Sequence, residues 1–299
     1  MSTPVRPRRS VLFMPGSNPR ALEKARSLPA DVVVIDLEDA VAPDAKEEAR
    51  ARVAATLQEG GFAPREVVVR TNGVDTPWFD EDIAMIAAAS ARGEGPDALL
   101  LPKVSDPETL HVVGRMLEAG GAAPSLRVWA MIETPAGVLR ALDIALAAKN
   151  PVTRLAALVL GTNDLSKETG ARIVPGRAPM TGWLSHCVLA ARAGGIEVLD
   201  AVWNDFRDLA GFSRECREAA AMGFDGKTLI HPDQIGPCNA AFSPSEPEVA
   251  AARALIALFD RPENAGKGVV QMEGRMVERM HADIARRLVT LAEAIERRN

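Results

Sequence analysis

The stretch DVVVIDLED, Asp31 to Asp39, decides the fold. Its valines and isoleucine form an unbroken apolar run, which stops abruptly at Asp36, Glu38 and Asp39. Such a run marks a strand covered on both faces, as in a parallel sheet with helices packed over it. Outward from it, in both directions, the same unit recurs. Apolar runs at residues 9–14, 67–70, 98–101, 128–132, 155–160, 196–202 and 224–230 join 31–35 as expected strands. Between them the spacing predicts helices over 19–27, 46–58, 80–91, 106–119, 135–148, 181–193 and 205–222. Eight such units over roughly 230 residues fit an α/β fold of the (β/α)8 TIM-barrel type. The alternative is an open doubly wound sheet. Against it, the first strand runs into FMPGSN (13–18), which lacks the G-x-G-x-x-G spacing of a dinucleotide site.

After 236 the repeat ends. Residues 245–259 and 281–297 read as helices, 262–270 as loop, and 272–277 as a brief pairing segment. The chain is therefore expected to divide into a barrel carrying the site, residues 1–236, and a C-terminal helical extension, residues 237–299. The extension is expected to cover a barrel mouth, its own or a neighbouring subunit's.

Composition removes several classes of function. The 299 residues are 47% hydrophobic, enough for one large core. The net charge of −5 leaves no basic excess for nucleic acid. No apolar run reaches the ~18 residues of a membrane span, and the run after the basic residues 1–9 is too short for a secretory signal. The protein is thus expected to be cytoplasmic. Cys187, Cys216 and Cys238 are too widely spaced for a zinc site or a disulfide framework, and the four histidines include no pair at ligand spacing. Any metal here is expected to be hard and held by oxygen.

In a (β/α)8 barrel the chemistry sits where the strands end. Strand two ends in Asp36, Glu38 and Asp39, strand three in Arg70, strand four in Lys103, strand five in Glu133, strand six in Thr162 and Asp164, and strand eight in His231. Asp36, Asp39 or Asp164 alone could be a helix cap. Glu133 follows an apolar run directly, so it points into the mouth and needs a cation: Arg70, Lys103 or a metal. Carboxylates on adjacent strands can share one ion, and Mg²⁺ takes one or two carboxylates while keeping waters. Arg70 suits a substrate carboxylate or an enolate oxygen. Met131, Thr162 and Trp203 stand where they would shape the pocket. Lys103 reads as an ion-pair partner of a mouth carboxylate, and His231 as a residue that orients the mouth or catalyses. If every polar strand end were a cap or an ion pair, the role would be structural only.

Seven stretches carry a resemblance: RSVLFMPGSNPRALEKA (9–25), VVVIDLEDAVAPDAKEEAR (32–50), VVVRTNG (67–73), LLLPKV (99–104), MIETPAGVL (131–139), LGTNDLSKETG (160–170) and GFDGKTLIHPDQI (223–235). In order and across nearly the whole barrel, they resemble the citrate lyase β-subunit-like branch of the HpcH/HpaI aldolase superfamily, with its malyl-CoA and citramalyl-CoA lyases. The resemblance implies a trimeric or hexameric homo-oligomer and a Mg²⁺ cofactor. It implies carbon–carbon cleavage or formation of a 3-hydroxyacyl-CoA, with acetyl-CoA and a small 2-oxo acid as the fragments. Metal ligands then fall on Glu133 and Asp164, and the substrate arginine on Arg70. The CoA or substrate contacts fall on Phe13, Pro15, Arg20, Lys24 and Thr162. The cluster Arg6, Arg8, Arg9, Arg20 and Lys24 would offer the phosphates a local positive field.

One segment departs from the pattern. Lyases of this branch that act on free CoA esters carry an aspartate in G-K-M-[IV]-D-x-P, donated to the neighbouring subunit as acid/base. Here the segment is Gly274-Arg-Met-Val-Glu-Arg-Met280, with Glu278 in the aspartate's place. The departure keeps two alternatives open: a malyl-CoA thioesterase, or a citrate lyase β subunit acting on an acyl-carrier thioester.

Overall fold

A computed structural model describes residues 6–272 and 274–298, so residues 1–5 of the basic N-terminus lie outside the described residues. The elements alternate as the apolar runs require. They begin β1 (Ser10–Pro15), α1 (Pro19–Ala25), β2 (Val32–Asp36), α2 (Lys46–Glu59), β3 (Glu66–Arg70), α3 (Phe79–Ala91), β4 (Ala98–Leu101) and α4 (Pro107–Ala119). Next come β5 (Arg127–Ile132), α5 (Pro135–Leu139), α6 (Ala141–Leu146), β6 (Leu155–Leu160), α7 (Thr162–Thr169), α8 (Thr181–Gly194), β7 (Glu197–Asp200), α9 (Leu209–Met222), β8 (Gly226–Leu229) and α10 (Ile235–Ala241). The eight strands close in chain order into one parallel barrel, β1 pairing with both β2 and β8. The expected (β/α)8 TIM barrel is the fold.

Side chains alternate across each strand and make two cores. Val32, Val34, Val68, Leu100, Trp129, Met131, Val159 and Leu199 fill the barrel interior. Val33, Ile35, Val69, Leu99, Leu101, Ile132, Leu158 and Val198 pack outward against the helices. The interior is thus a packed core rather than a pore. Its floor is closed by Arg8, which pairs with Glu66 at the start of β3 (2.6 Å) and Glu197 at the start of β7 (2.7 Å). The Arg8 guanidinium lies 5.0 Å from the centre of the Trp129 ring.

A second buried cluster ties the far side of the barrel to its helices. Lys227 Nζ, fully buried, sits 2.7 Å from both Asp200 Oδ2 and Glu215 Oε1. Arg177 reaches Asp200 at 2.6 Å and Glu215 at 3.3 Å. Two cations and two carboxylates balance, and each side chain is held on more than one side.

Several elements differ from the sequence expectation. The helix expected over 135–148 breaks at Arg140, which is non-helical (φ −105°, ψ 13°). Helix α7 was not expected; of its residues only Thr162 and Leu165 are buried, so it presents no apolar stripe. Strands β7 and β8 are shorter than their apolar runs.

The chain divides after Phe242, so α10 goes with the barrel. Residues 243–298 form a separate compact unit, with residues 6–7 grouped with it. This unit comprises α11 (Glu246–Phe259), the antiparallel pair β9 (Val269–Met272) and β10 (Arg275–Glu278), and α12 (Arg279–Glu296). A small cluster of Phe259, Val270 and Ala282 holds it together. Ser245 opens α11 with a capping box completed by Glu248. Among the described residues no helix is long and apolar enough to cross a membrane.

Candidate active site

The period-2 alternation decides which polar side chains reach the mouth. Asp36 follows Val32 and Val34 on the inward face of β2, as Arg70 follows Val68 on β3. Glu133 follows Trp129 and Met131 beyond β5, and Gly161 follows Val159 beyond β6. At these strand ends lies a cavity of about 390 Å³, lined by Phe13, Asp36, Arg70, Met131, Thr162 and Asp164 among others.

Arg70 is held on all sides. Its Nε and Nη2 donate to the two oxygens of Asp36 at 2.7 and 2.6 Å, a bidentate grip. Its Nη1 is 2.7 Å from Glu38 Oε2, and its guanidinium lies 4.9 Å from the centre of the Phe13 ring. Burial opposes the charge, yet Asp36 and Glu38 outweigh it and keep the group protonated. Asp36 also accepts the backbone N–H groups of Glu38 and Ala40, so one carboxylate shapes the loop and aims the arginine. Lys103 pairs with the other oxygen of Glu38 at 2.5 Å, the ion pair its sequence position suggested.

Glu133 is only 1% exposed. Its Oε1 accepts the backbone N–H of Lys103 at 2.8 Å. Lys103 reaches it from a left-handed conformation, φ 54°, that costs a non-glycine residue about 1 kcal/mol. Its Oε2 is buried without a hydrogen-bond partner among the described residues. Burial, then the negative charges of Glu38 and Asp164, push the carboxyl up to about 8. A carboxylate so placed lacks a cation on its second oxygen. Asp164 stands in the first turn of α7 but is not its cap, since the capping position is Gly161. It has no ion-pair partner among the described residues.

These residues fit a hard divalent ion. No group of three His, Cys, Asp or Glu side chains that could hold a metal occurs among the described residues. Two carboxylates suffice for Mg²⁺, which fills its remaining positions with water and substrate oxygens. Gly161 makes room for the arrangement: a Cβ there would lie 2.5 Å from Glu133 Cβ and 2.6 Å from its Oε2. Gly161→Ala is expected to displace the carboxylate. Stability should fall by about 1–3 kcal/mol in chemical denaturation, together with loss of Mg²⁺-induced thermal stabilisation.

Comparison with known proteins matches the HpcH/HpaI aldolase/citrate lyase family over residues 9–232. The chain belongs to this family. A relative from Cereibacter sphaeroides named (3S)-malyl-CoA thioesterase is 46% identical over 295 residues, 99% of this chain and 98% of the relative. The mitochondrial citramalyl-CoA lyase of Homo sapiens is 35% identical, over 97% of this chain and 87% of its own. Among solved structures, the CitE protein of Mycobacterium tuberculosis in complex with magnesium, acetoacetate and coenzyme A has a TM-score of 0.73. It is 30% identical, and the match covers 95% of this chain and 97% of that one.

Within this HpcH/HpaI-family barrel the structure brings together Phe13, Arg70, Met131, Glu133, Thr162 and Asp164. Arg20 and Lys24 lie exposed on α1, after the C-terminal end of β1. The expected basic cluster does not assemble. Arg8 and Arg9 precede β1, so they lie at the opposite end of the barrel, where Glu66, Glu197 and Asp31 take up their charges. Trp203 is not on the cavity wall; its Nε1 donates to Asp205 O. His231 stacks on Phe206, 4.7 Å between ring centres, and caps the turn at 232–234. Glu278 lies in the C-terminal unit, exposed at the junction of β10 and α12. Three features escaped the sequence: the Asp36–Arg70 clamp, the Glu38 bridge and the Gly161 cradle. The acidic run after strand two and a glycine at an inward strand end were their only local signals.

Proposed function

We propose that this protein is a Mg²⁺-dependent enzyme acting on a 3-hydroxyacyl-CoA thioester of the malyl type. The proposal rests on the Glu133 carboxylate, buried beside Asp164 with one oxygen unpartnered. Glu133 and Asp164 would hold the cation. When bound, Mg²⁺ supplies a Lewis acid for the hydroxyl and carboxylate of the acid end. Arg70 has five N–H donors, of which Asp36 engages two and Met131 Sδ one, while Glu38 Oε2 lies 2.7 Å from Nη1 as an ion-pair partner. The rest are available to the thioester oxygen as negative charge develops on it. Because Asp36 and Phe13 already fix the guanidinium, this stabilisation needs no reorganisation during reaction.

Within this proposal, thioester hydrolysis comes first. Water adds to the thioester carbonyl, the C–S bond breaks, and the sulfur leaves as the CoA thiol with a proton from water. The similarity to relatives named (3S)-malyl-CoA thioesterase over nearly the full chain supports it, as does Glu278 in place of the lyase aspartate. Carbon–carbon cleavage is the second reading, favoured by the pairing of metal carboxylates with an arginine and by the similarity to citramalyl-CoA lyase. There the 3-hydroxyl gives its proton to solvent water, the C–C bond breaks to a 2-oxo acid, and the thioester enolate held by Arg70 takes a proton at carbon. Glu278 of a neighbouring subunit would give it.

Incubation with malyl-CoA and citramalyl-CoA, with and without Mg²⁺, separates the two. Free CoA with intact hydroxy acid selects hydrolysis; acetyl-CoA with a 2-oxo acid selects the lyase. Neither product from either ester would sink both readings. If the lyase products form, Glu278→Ala is expected to slow them about 10²–10⁴-fold, the range of a lost general acid.

A further inference from the structure

We propose that Asp39 is the general base for thioester hydrolysis: it takes a proton from the attacking water and returns it to the departing sulfur. The inference rests on the hydrolytic reading of the site and assigns the group that this reading leaves unnamed.

An attacking water needs a proton acceptor within hydrogen-bond reach. Among the described residues lining the cavity there is no histidine, cysteine or lysine, and the chain has no tyrosine. The lining carboxylates are Asp36, Asp39 and Asp164. Asp36 has both oxygens engaged, by Arg70 and by the N–H groups of Glu38 and Ala40. Asp164 is assigned with Glu133 to the cation. Glu38 is held between Arg70 and Lys103. Asp39 remains. Its side chain is 63% exposed, and its one ion pair among the described residues is long, 3.5 Å from Oδ2 to Arg70 Nη1.

The loop that carries Asp39 is fixed. Asp39 follows Glu38 in a turn closed by the Val41 N–H, which donates to Glu38 O at 3.0 Å. Lys46, buried at the start of α2, donates from Nζ to the carbonyls of Leu37 and Glu38 at 2.7 Å each. The carboxylate therefore stands beside the guanidinium that receives the thioester oxygen, while its exposed face meets solvent, the source of the water. As the water oxygen bonds to the carbonyl carbon, its proton passes to Asp39, and the carbonyl electron pair moves onto the oxygen that Arg70 holds. The C=O bond then re-forms, the C–S bond breaks, and the sulfur takes the proton from Asp39. The new acid loses its own proton to solvent, and Asp39 is again a carboxylate.

The test follows release of free CoA from malyl-CoA and citramalyl-CoA, in Mg²⁺, by the full chain and its variants. Asp39→Asn and Asp39→Ala are expected to slow hydrolysis about 10²–10⁴-fold through kcat, with Mg²⁺ binding retained in calorimetry. Formate should restore part of the rate to Asp39→Ala and add nothing to the wild type. Asp44→Asn, which removes an exposed acid from the same loop, should hydrolyse at the wild-type rate. In a single turnover in ¹⁸O-labelled water, the label should enter the released hydroxy acid and not Asp39. Asp39→Asn hydrolysing as fast as the wild type overturns the assignment alone. So does label in Asp39, which marks a covalent nucleophile, and so does loss of Mg²⁺ binding, which marks a metal ligand. A wild type that releases no CoA from either ester overturns the hydrolytic reading, and this inference with it.

Discussion

Glu133→Gln is expected to make the metal-free protein more stable at neutral pH while abolishing its response to Mg²⁺. The carboxyl is buried, and its pKa rises from 4.5 to about 8 through burial, then the charges of Glu38 and Asp164. The folded state therefore holds this proton after the unfolded chain has released it. Its contribution to stability is fully present below about pH 4.5 and is lost as pH rises through about 8. At roughly 1.4 kcal/mol per unit, the metal-free fold weakens by several kcal/mol across that window. At the proposed site Mg²⁺ would replace the proton, so affinity should rise about tenfold per pH unit within the window, with close to one proton released per ion. Glutamine keeps the shape and removes the titration. Denaturant unfolding in chelator at several pH values should show the wild type losing stability from pH 5 to 8 and Glu133→Gln nearly flat. Calorimetry in buffers of different ionisation enthalpy should register the released proton in the wild type only. A variant less stable than wild type at pH 8 in chelator, or one still stabilised by Mg²⁺, would refute the assignment.

The other large effect lies outside the site. Lys227→Met is expected to cost about 3–5 kcal/mol in urea denaturation, the range for breaking a buried ion pair on one side. Lys227 is fully buried and holds Asp200 and Glu215 at 2.7 Å each. Burial alone would lower its pKa, but these carboxylates outweigh the desolvation and raise it. Without the ammonium, Arg177 alone faces two carboxylates sealed between the barrel wall and α9. Replacing one carboxylate as well, in Lys227→Met with Glu215→Gln, should recover part of the loss because the remaining charges balance again. An additive double variant would show that the four groups do not act as one network. The cluster lies away from the cavity lining, so the surviving folded fraction should keep its Mg²⁺ affinity.

The barrel was legible because strands buried on both faces leave unmistakable apolar runs, as at Val32–Asp36. What the sequence hid is what tertiary contacts decide. Helix α7 carries only two buried residues, so no apolar periodicity announced it. The Asp36–Arg70 clamp joins residues 34 positions apart, and nothing local distinguishes it from a loop cap. Lys103 occupies a left-handed conformation without the glycine that usually signals one. Arg70 and Glu133 were legible because each stands where an apolar run ends. Arg8 and Arg9 misled because a cluster in sequence straddled β1, whose two ends face opposite sides of the barrel.

The closed floor has a kinetic meaning. Trp129 and the valine layers fill the barrel above Arg8, leaving no passage through the axis. Whatever enters the chamber must back out through the doorway it came in by. In such a dead-end vessel, entry and exit share one opening.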